Sequence, residues 1–268
     1  MSFAAAAAPA AGSVTLGQLN PTPAGVTTSY EFAQQSVGSG NSYVVPGNGT
    51  ITAWSTNASS TMTQSLTFKV YRKVNEPNFY EVVAVDGPRP LNPALLNPFT
   101  GVSIPVKAGD LIGGRPQGAS FVFTGTPSDV ILANTLVNNP GVGQQFSFNQ
   151  APNNLLNLTA VFAPSNTVTV NKTQLNKKKG TATLNLTLPN PGDLTASGKG
   201  VKASSAGGAV ISKAVGAGAA KLVIKAKGKQ GKTLNATGKV TLKVSIKYTP
   251  SNGDPGTKSV KVKLKKNG

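Results

Sequence analysis

The residues best equipped for chemistry in this chain are its carboxylates, its lysines and one tryptophan. Histidine and cysteine are both absent. Their absence removes the commonest general base, thiol nucleophiles, thiolate metal sites and disulfides together. Six carboxylates remain for acid–base work before residue 166: Glu31, Glu76, Glu81, Asp86, Asp110 and Asp129. A glycosidase needs two of them at a fixed separation across a sugar ring, and no motif around these six supplies it. No glycine-rich phosphate loop lies between a strand and a helix. Asp86, Asp110 and Asp129 could share a calcium ion if folding gathered them, since calcium takes oxygen ligands. They lack a D-x-D spacing, so turn-capping is the plainer role. No catalytic residue, cofactor or metal is assigned, and the chain reads as a non-enzyme, with a weak glycan hydrolase as the remaining catalytic alternative.

Binding chemistry is better represented. From Asn166 onward there are twenty lysines, no arginine and only two acids, Asp193 and Asp254, so this stretch carries the entire net charge of +18. The residues before it are balanced. Lys177, Lys178 and Lys179 at a turn, Lys225 and Lys227, and the alternating Lys243, Lys247, Lys261, Lys263 and Lys265 form a candidate polyanion-binding surface. Clustered lysines attract polyanions through counterion release, without reading a sequence. Arginine is missing and Tyr248 is the only ring behind residue 166, so bases would be read poorly. Nucleic acid is therefore expected to bind only non-specifically, and an anionic cell-wall polymer or acidic glycan fits better. The plainer reading is a solvated face whose lysines protect strand edges from aggregation, with 177–179 a lysine-rich hairpin turn. In the first part of the chain Trp54, with Tyr43 and Tyr71 as neighbours, is a candidate glycan-stacking platform if exposed and a core anchor if buried.

The elements that must position these groups read as strands. Apolar content is only 38%, and Gly, Ser, Thr and Asn suit turns and wet strand faces more than helices. Short strands are expected near 42–45, 50–56, 64–73, 79–85, 102–106, 110–112, 120–124, 130–132, 145–148 and 155–162, with 17–28 irregular and 87–98 a proline-rich loop. In 64–73, Leu66, Phe68 and Val70 alternate with Thr67, Lys69 and Tyr71. Beyond a linker at Pro164, Ser165 and Asn166 the period of two is cleaner: Val240, Leu242, Val244, Ile246 and Tyr248 oppose Lys239, Thr241, Lys243, Ser245 and Lys247. One buried and one wet face is the meaning of that pattern. Counting a strand at 210–215, seven are expected in this part, and 204–220 is too glycine-rich for a helix. The fold class is all-β: a disordered Ala-rich tail or signal remnant at 1–14, a neutral jelly-roll-like sandwich at 15–164 and a basic, seven-stranded immunoglobulin-like sandwich at 167–268. No run approaches the ~20 apolar residues of a membrane-spanning helix.

Several stretches carry a resemblance. Asn176-Lys177-Lys178-Lys179-Gly180-Thr181-Ala182-Thr183-Leu184, Pro189-Asn190-Pro191-Gly192-Asp193-Leu194 and Ser197-Gly198-Lys199-Gly200-Val201 resemble a C-terminal module of secreted proteins of high-GC Gram-positive bacteria. Lys225-Ala226-Lys227-Gly228, Tyr248-Thr249-Pro250 and Leu264-Lys265-Lys266 extend the likeness. The first part resembles uncharacterised N-terminal domains of the same secreted proteins, through Thr15-Leu16-Gly17-Gln18-Leu19, Gly49-Thr50-Ile51-Thr52-Ala53-Trp54-Ser55, Val70-Tyr71-Arg72 and the stretch from Ile104 to Gly113. Those relatives often carry early cysteines, which this chain lacks, so no disulfide carries over. The resemblance implies an extracytoplasmic β protein and no activity. The functional expectation is a non-catalytic surface or cell-wall binding protein, the alternative being a structural subunit that self-associates through strand edges.

Overall fold

The computed structural model of the chain describes residues 12–61, 63–74, 77–205 and 214–267. They form antiparallel β-sandwiches in two compact units, Met1–Ala163 and Pro164–Gly268. Among the described residues there is one helix, and none long and apolar enough to cross a membrane.

The first unit contains β1 (Val14–Gln18), β2 (Glu31–Ser36), β3 (Gly49–Asn57), β4 (Ser65–Lys73), β5 (Phe79–Pro90), β6 (Leu96–Val106), β7 (Leu111–Gln117), β8 (Val122–Thr124), β9 (Val130–Asn134), β10 (Gln145–Ser147), β11 (Asn149–Pro152), β12 (Asn154–Leu156) and β13 (Leu158–Pro164). One sheet runs β1-β13-β3-β6 and the other β10-β5-β4-β7-β2-β9-β11, with β12 and β8 paired separately. Leu16, Ile51, Trp54 and Phe162 from the first sheet meet Phe32, Phe68, Val70 and Ile112 from the second in one core. Of the segment 1–14 read as a tail, 1–11 lie outside the described residues, and Val14 opens β1.

Three sequence expectations change here. The proline-rich stretch 87–98 is not a long loop, because β5 runs on to Pro90 and β6 starts at Leu96. Pro88 and Pro90 are tolerated because that end of β5 pairs only with β4, while β10 pairs with Phe79, Tyr80 and Glu81. Strand β2 escapes the reading because Glu31, Phe32, Ala33 and Gln34 are all buried, so it shows no alternation. Strand β4 alternates but has no wet face. Opposite the shared core, Tyr71 packs with Ala33, Tyr80, Val82, Leu111, Leu132, Phe146 and Phe148 in a second cluster.

Between β4 and β2, strand β7 carries Gly113 paired with Lys69 on one side and Ala33 on the other. A Cβ at Gly113 would lie 2.0 Å from the Phe32 carbonyl oxygen, so only glycine fits without moving the neighbouring backbone.

The second unit contains β14 (Thr169–Asn176), β15 (Thr181–Leu188), β16 (Gly192–Ser197), β17 (Val201–Ser205), β18 (Ala214–Val215), β19 (Gly218–Ala226), α1 (Gly228–Thr237), β20 (Lys239–Pro250) and β21 (Gly256–Lys265). Its sheets run β14-β15-β19-β17 and β18-β16-β20-β21. Leu184, Leu186, Leu222 and Ile224 from one face Leu242, Val244, Ile246 and Val262 from the other in a single aliphatic core. Tyr248 is buried there, and its hydroxyl donates to the Asn190 carbonyl at 2.6 Å. Eight strands replace the expected seven among the described residues, β17 being the addition. Of the strand expected at 210–215, 210–213 lie outside the described residues and 214–215 form β18. Helix α1 is unexpected because Gly228 and Gly231 weaken it and only Leu234 is buried. Gly238, at φ 69°, ends it by donating its N–H to the Leu234 carbonyl.

Two substitutions test this packing by urea denaturation. Leu242→Ala is expected to destabilise the second unit by about 2–5 kcal/mol, as for a buried leucine with little room to collapse. Gly113→Ala is expected to cost about 1–3 kcal/mol in the first unit. An unchanged midpoint for either variant contradicts the corresponding contact.

Candidate functional site

The carboxylates of the first unit are occupied one by one. Asp110 is buried and takes a two-pronged bond from Arg72, Nε to Oδ1 at 2.8 Å and Nη2 to Oδ2 at 2.7 Å, and also accepts the Lys107 N–H at 2.8 Å. Asp129 caps a turn by accepting the Thr126 backbone N–H, the Thr126 hydroxyl at 2.7 Å and the Gly38 N–H at 2.7 Å. Burial acts to raise its pKa, but these donors outweigh that and hold it below its ordinary value. Asp86 accepts the Trp54 indole N–H at 2.6 Å and the Arg89 guanidinium at 2.7 Å. The calcium alternative is corrected: the three aspartates serve three separate places, and among the described residues no acidic trio gathers. Glu76 lies outside the described residues.

The glycan platform is also corrected. Trp54 and Tyr43 are 1% exposed and Tyr71 is fully buried. Trp54 stacks on Phe68, ring centres 5.5 Å apart, with Phe99 4.1 Å away on a tilted plane. Tyr43 donates its hydroxyl to the Leu156 carbonyl and accepts the Gln18 N–H at 3.0 Å. Large rings in a domain with a real core go where they cover most area, and these three do.

Tyr71 leads to a feature that the sequence reading missed. Its hydroxyl donates to Glu31 Oε2 at 2.8 Å, and Lys69 Nζ sits 3.0 Å from the same oxygen. Glu31 and Lys69 are both fully buried. Arg115 reaches Glu31 Oε1 at 3.4 Å, while Lys69 also donates to Asn139 Oδ1 at 3.1 Å and the Pro140 carbonyl at 2.8 Å. Burial pulls the Lys69 pKa down, against the raising influence of Glu31. The alternation in β4 had assigned Lys69 and Tyr71 to water. Asn139 and Pro140 from the β9–β10 segment over Lys69, and Phe146 and Phe148 over Tyr71, reverse that.

In the second unit every candidate lysine is exposed, and register decides which share a surface. Lys243, Lys247, Lys261, Lys263 and Lys265 occupy the outward side of β20 and β21, where Lys243 pairs with Lys261 and Lys239 with Lys265. Lys225 is on the other sheet, opposite Lys202. Lys177, Lys178 and Lys179 form the β14–β15 turn, and Lys227 precedes α1.

These places converge at one end of the unit. Asn267 donates its N–H to the Lys177 carbonyl at 3.0 Å, Lys266 to Gly238 at 2.8 Å and Lys227 to Gly200 at 2.8 Å. The β14–β15 turn, the β16–β17 turn, α1, the start of β20 and the end of β21 therefore meet there. Besides Lys177, Lys178, Lys179, Lys225, Lys227 and Lys265, this pole gathers Lys199, Lys202, Lys229, Lys232, Lys239 and Lys266, which the sequence reading did not select. Lys202, Lys229 and Lys232 carry no pattern of their own because they lie on β17 and α1, and the gathering of the others depends on which turns meet. Asp193 pairs with Thr249, and Asp254 lies in the β20–β21 turn, so both carboxylates sit at the opposite end beside Ser165 and Asn166. From Lys239 to Thr249 the strand rises about 34 Å, some four Debye lengths at physiological salt. Among the described residues no Asp or Glu lies at the pole, and none of its lysines is ion-paired.

Comparison with protein families, with curated proteins and with solved structures finds no match for this chain.

The buried phenols give a pH test. Burial raises Tyr43, Tyr71, Tyr80 and Tyr248 above the ordinary 10.0, with the Glu31 charge adding to the effect at Tyr71. Above about pH 10 the unfolded chain loses these protons while the folded one keeps them, so stability is complete below that value and falls as pH rises past it. Absorbance at alkaline pH is expected to show these four phenols ionising only with unfolding. Reversible titration of all of them near pH 10 in the folded protein contradicts their burial.

Proposed function

We propose that this protein is a non-catalytic, extracellular binding protein of the cell surface or wall, held to an anionic polymer by the lysine pole of its second unit. The observation that carries this reading is the gathering of exposed lysines from six separate chain segments at one end, with both acids of the unit at the other. Lysine pairs set directly opposite each other, such as Lys239 with Lys265 and Lys202 with Lys225, are unfavourable by roughly 0.2–1 kcal/mol each unless an anion intervenes. A bound polyanion relieves that repulsion. Arginine is absent from Asn166 onward and Tyr248 is buried, so this surface has neither two-pronged phosphate forks nor base-stacking rings. A teichoic-type phosphate polymer or an acidic glycan needs only point charges, which favours it over nucleic acid. The resemblance to secreted bacterial proteins supports the extracellular setting. Any specific recognition falls to the neutral first unit.

Binding to teichoic acid and to DNA is measured against salt. The expected slope of log K on log salt is about −4 to −7 for teichoic acid, at roughly −0.7 per phosphate for six to ten contacts, and about −5 to −9 for duplex DNA at roughly −0.9 per phosphate, nearly independent of its sequence. Replacing Lys177, Lys178 and Lys179 with Gln is expected to reduce that slope by about 2. Replacing Lys247 and Lys258, nearer the acidic end, should change it less. Absence of binding to either polymer at low ionic strength overturns the proposal and leaves a structural subunit as the remaining reading.

A further inference from the structure

The buried cluster at Glu31 holds two cations, Lys69 and Arg115, against one carboxylate. A surplus positive charge at a fully buried ammonium is costly, and among the described residues Glu31 is the one acid paired with either cation. The amine has an amide within reach. Lys69 Nζ lies 3.1 Å from Asn139 Oδ1 and is fixed from other sides by Glu31 Oε2 at 3.0 Å and the Pro140 carbonyl at 2.8 Å. Gly113 on β7 pairs with Lys69 of β4 on one side and with Ala33 of β2, the strand that carries Glu31, on the other. Asn139 is exposed, with φ 51°, so a small leaving group can escape from it to solvent.

We propose that Lys69 and Asn139 form an intramolecular amide cross-link, with Glu31 as the general base. The Lys69 ammonium passes a proton to the Glu31 carboxylate. The freed Nζ lone pair attacks Asn139 Cγ, forming the new C–N bond. Glu31 then delivers that proton to the Asn139 amide nitrogen and the bond from Cγ to that nitrogen breaks; the attacking nitrogen sheds its second proton through Glu31 to the departing ammonia, which leaves as ammonium. Nothing is oxidised or reduced, no co-reactant is needed, and Glu31 ends as it began. Desolvation already favours the neutral amine that attack requires, and proximity of nucleophile to electrophile replaces the entropy of an encounter. Afterwards the ammonium is gone, leaving Glu31 and Arg115 as a one-to-one pair. The cross-link would tie the β9–β10 segment, which carries the 90% exposed Leu136, to the middle of the sheet.

Asn139 has no competing route to the same mass change. Asparagine usually loses ammonia by attack of the following backbone nitrogen, and that residue is Pro140, which has no N–H. Intact-mass spectrometry of the folded full chain, followed by peptide mapping, is therefore decisive. The expected result is a mass lower than the sequence by one ammonia, with a branched peptide joining Lys69 to Asn139 and no tryptic cleavage at Lys69. Asn139→Ala is expected to retain the full mass. Asn139→Asp is expected to lose one water instead of one ammonia, a signature that mere structural proximity cannot produce. Glu31→Gln should abolish the link but also strips buried Lys69 and half-buried Arg115 of their shared partner, so the exposed Asn139 variants carry the test if it fails to fold. The full sequence mass in folded wild-type protein, or an ammonia loss mapped to another asparagine, overturns the proposal.

Discussion

The second unit is organised by the aliphatic seam between its two sheets. Leu184, Leu186, Leu222 and Ile224 press against Leu242, Val244, Ile246 and Val262, and because side chains alternate along a strand, sealing that seam forces the intervening lysines outward. Hydrophobic burial here fixes the placement of charge. No ion pair is needed to orient the lysines, and none does so among the described residues. The potential they create is therefore a by-product of packing that acids at the same pole would have cancelled. Instead Asp193 and Asp254 lie at the far ends of the same strands, beyond the reach of screened electrostatics.

The first unit shows what happens when both sides of a sheet are covered. Its inner face meets the other sheet, and its outer face meets Phe146, Phe148 and the chain between β9 and β10. Strand β4 thereby buries a lysine and a tyrosine that its pattern would leave in water. The price of that burial is met by a closed network in which every polar atom has a partner, since among the described residues no buried side-chain nitrogen or oxygen is left without one. The same enclosure brings an amine, an amide and a carboxylate into contact, an arrangement with chemical as well as structural consequences.

Strands with one wet face were legible from their residues. The alternation of Val240 to Tyr248 against Lys239 to Lys247 matches β20, and Ala182 to Leu188 matches β15. The all-β class follows from such stretches together with the turn-forming composition. Less legible were elements whose burial comes from elsewhere. Strand β2 is buried on both faces and β17 is too short for a pattern. Helix α1 buries one residue, Leu234, and would not be stable by local propensity with two glycines in it.

Sequence alone determined the charge asymmetry, the absence of histidine and cysteine chemistry, and the outward placement of lysines on the alternating strands of the second unit, because these depend on composition and on a period of two. Tertiary structure alone decided that Trp54, Tyr43 and Tyr71 are interior, that lysines from distant segments gather at one pole, and that Lys69 meets Glu31 and Asn139. Those outcomes depend on which strand lies beside which and what covers a sheet's second face, quantities set by long-range packing rather than by any local run of residues.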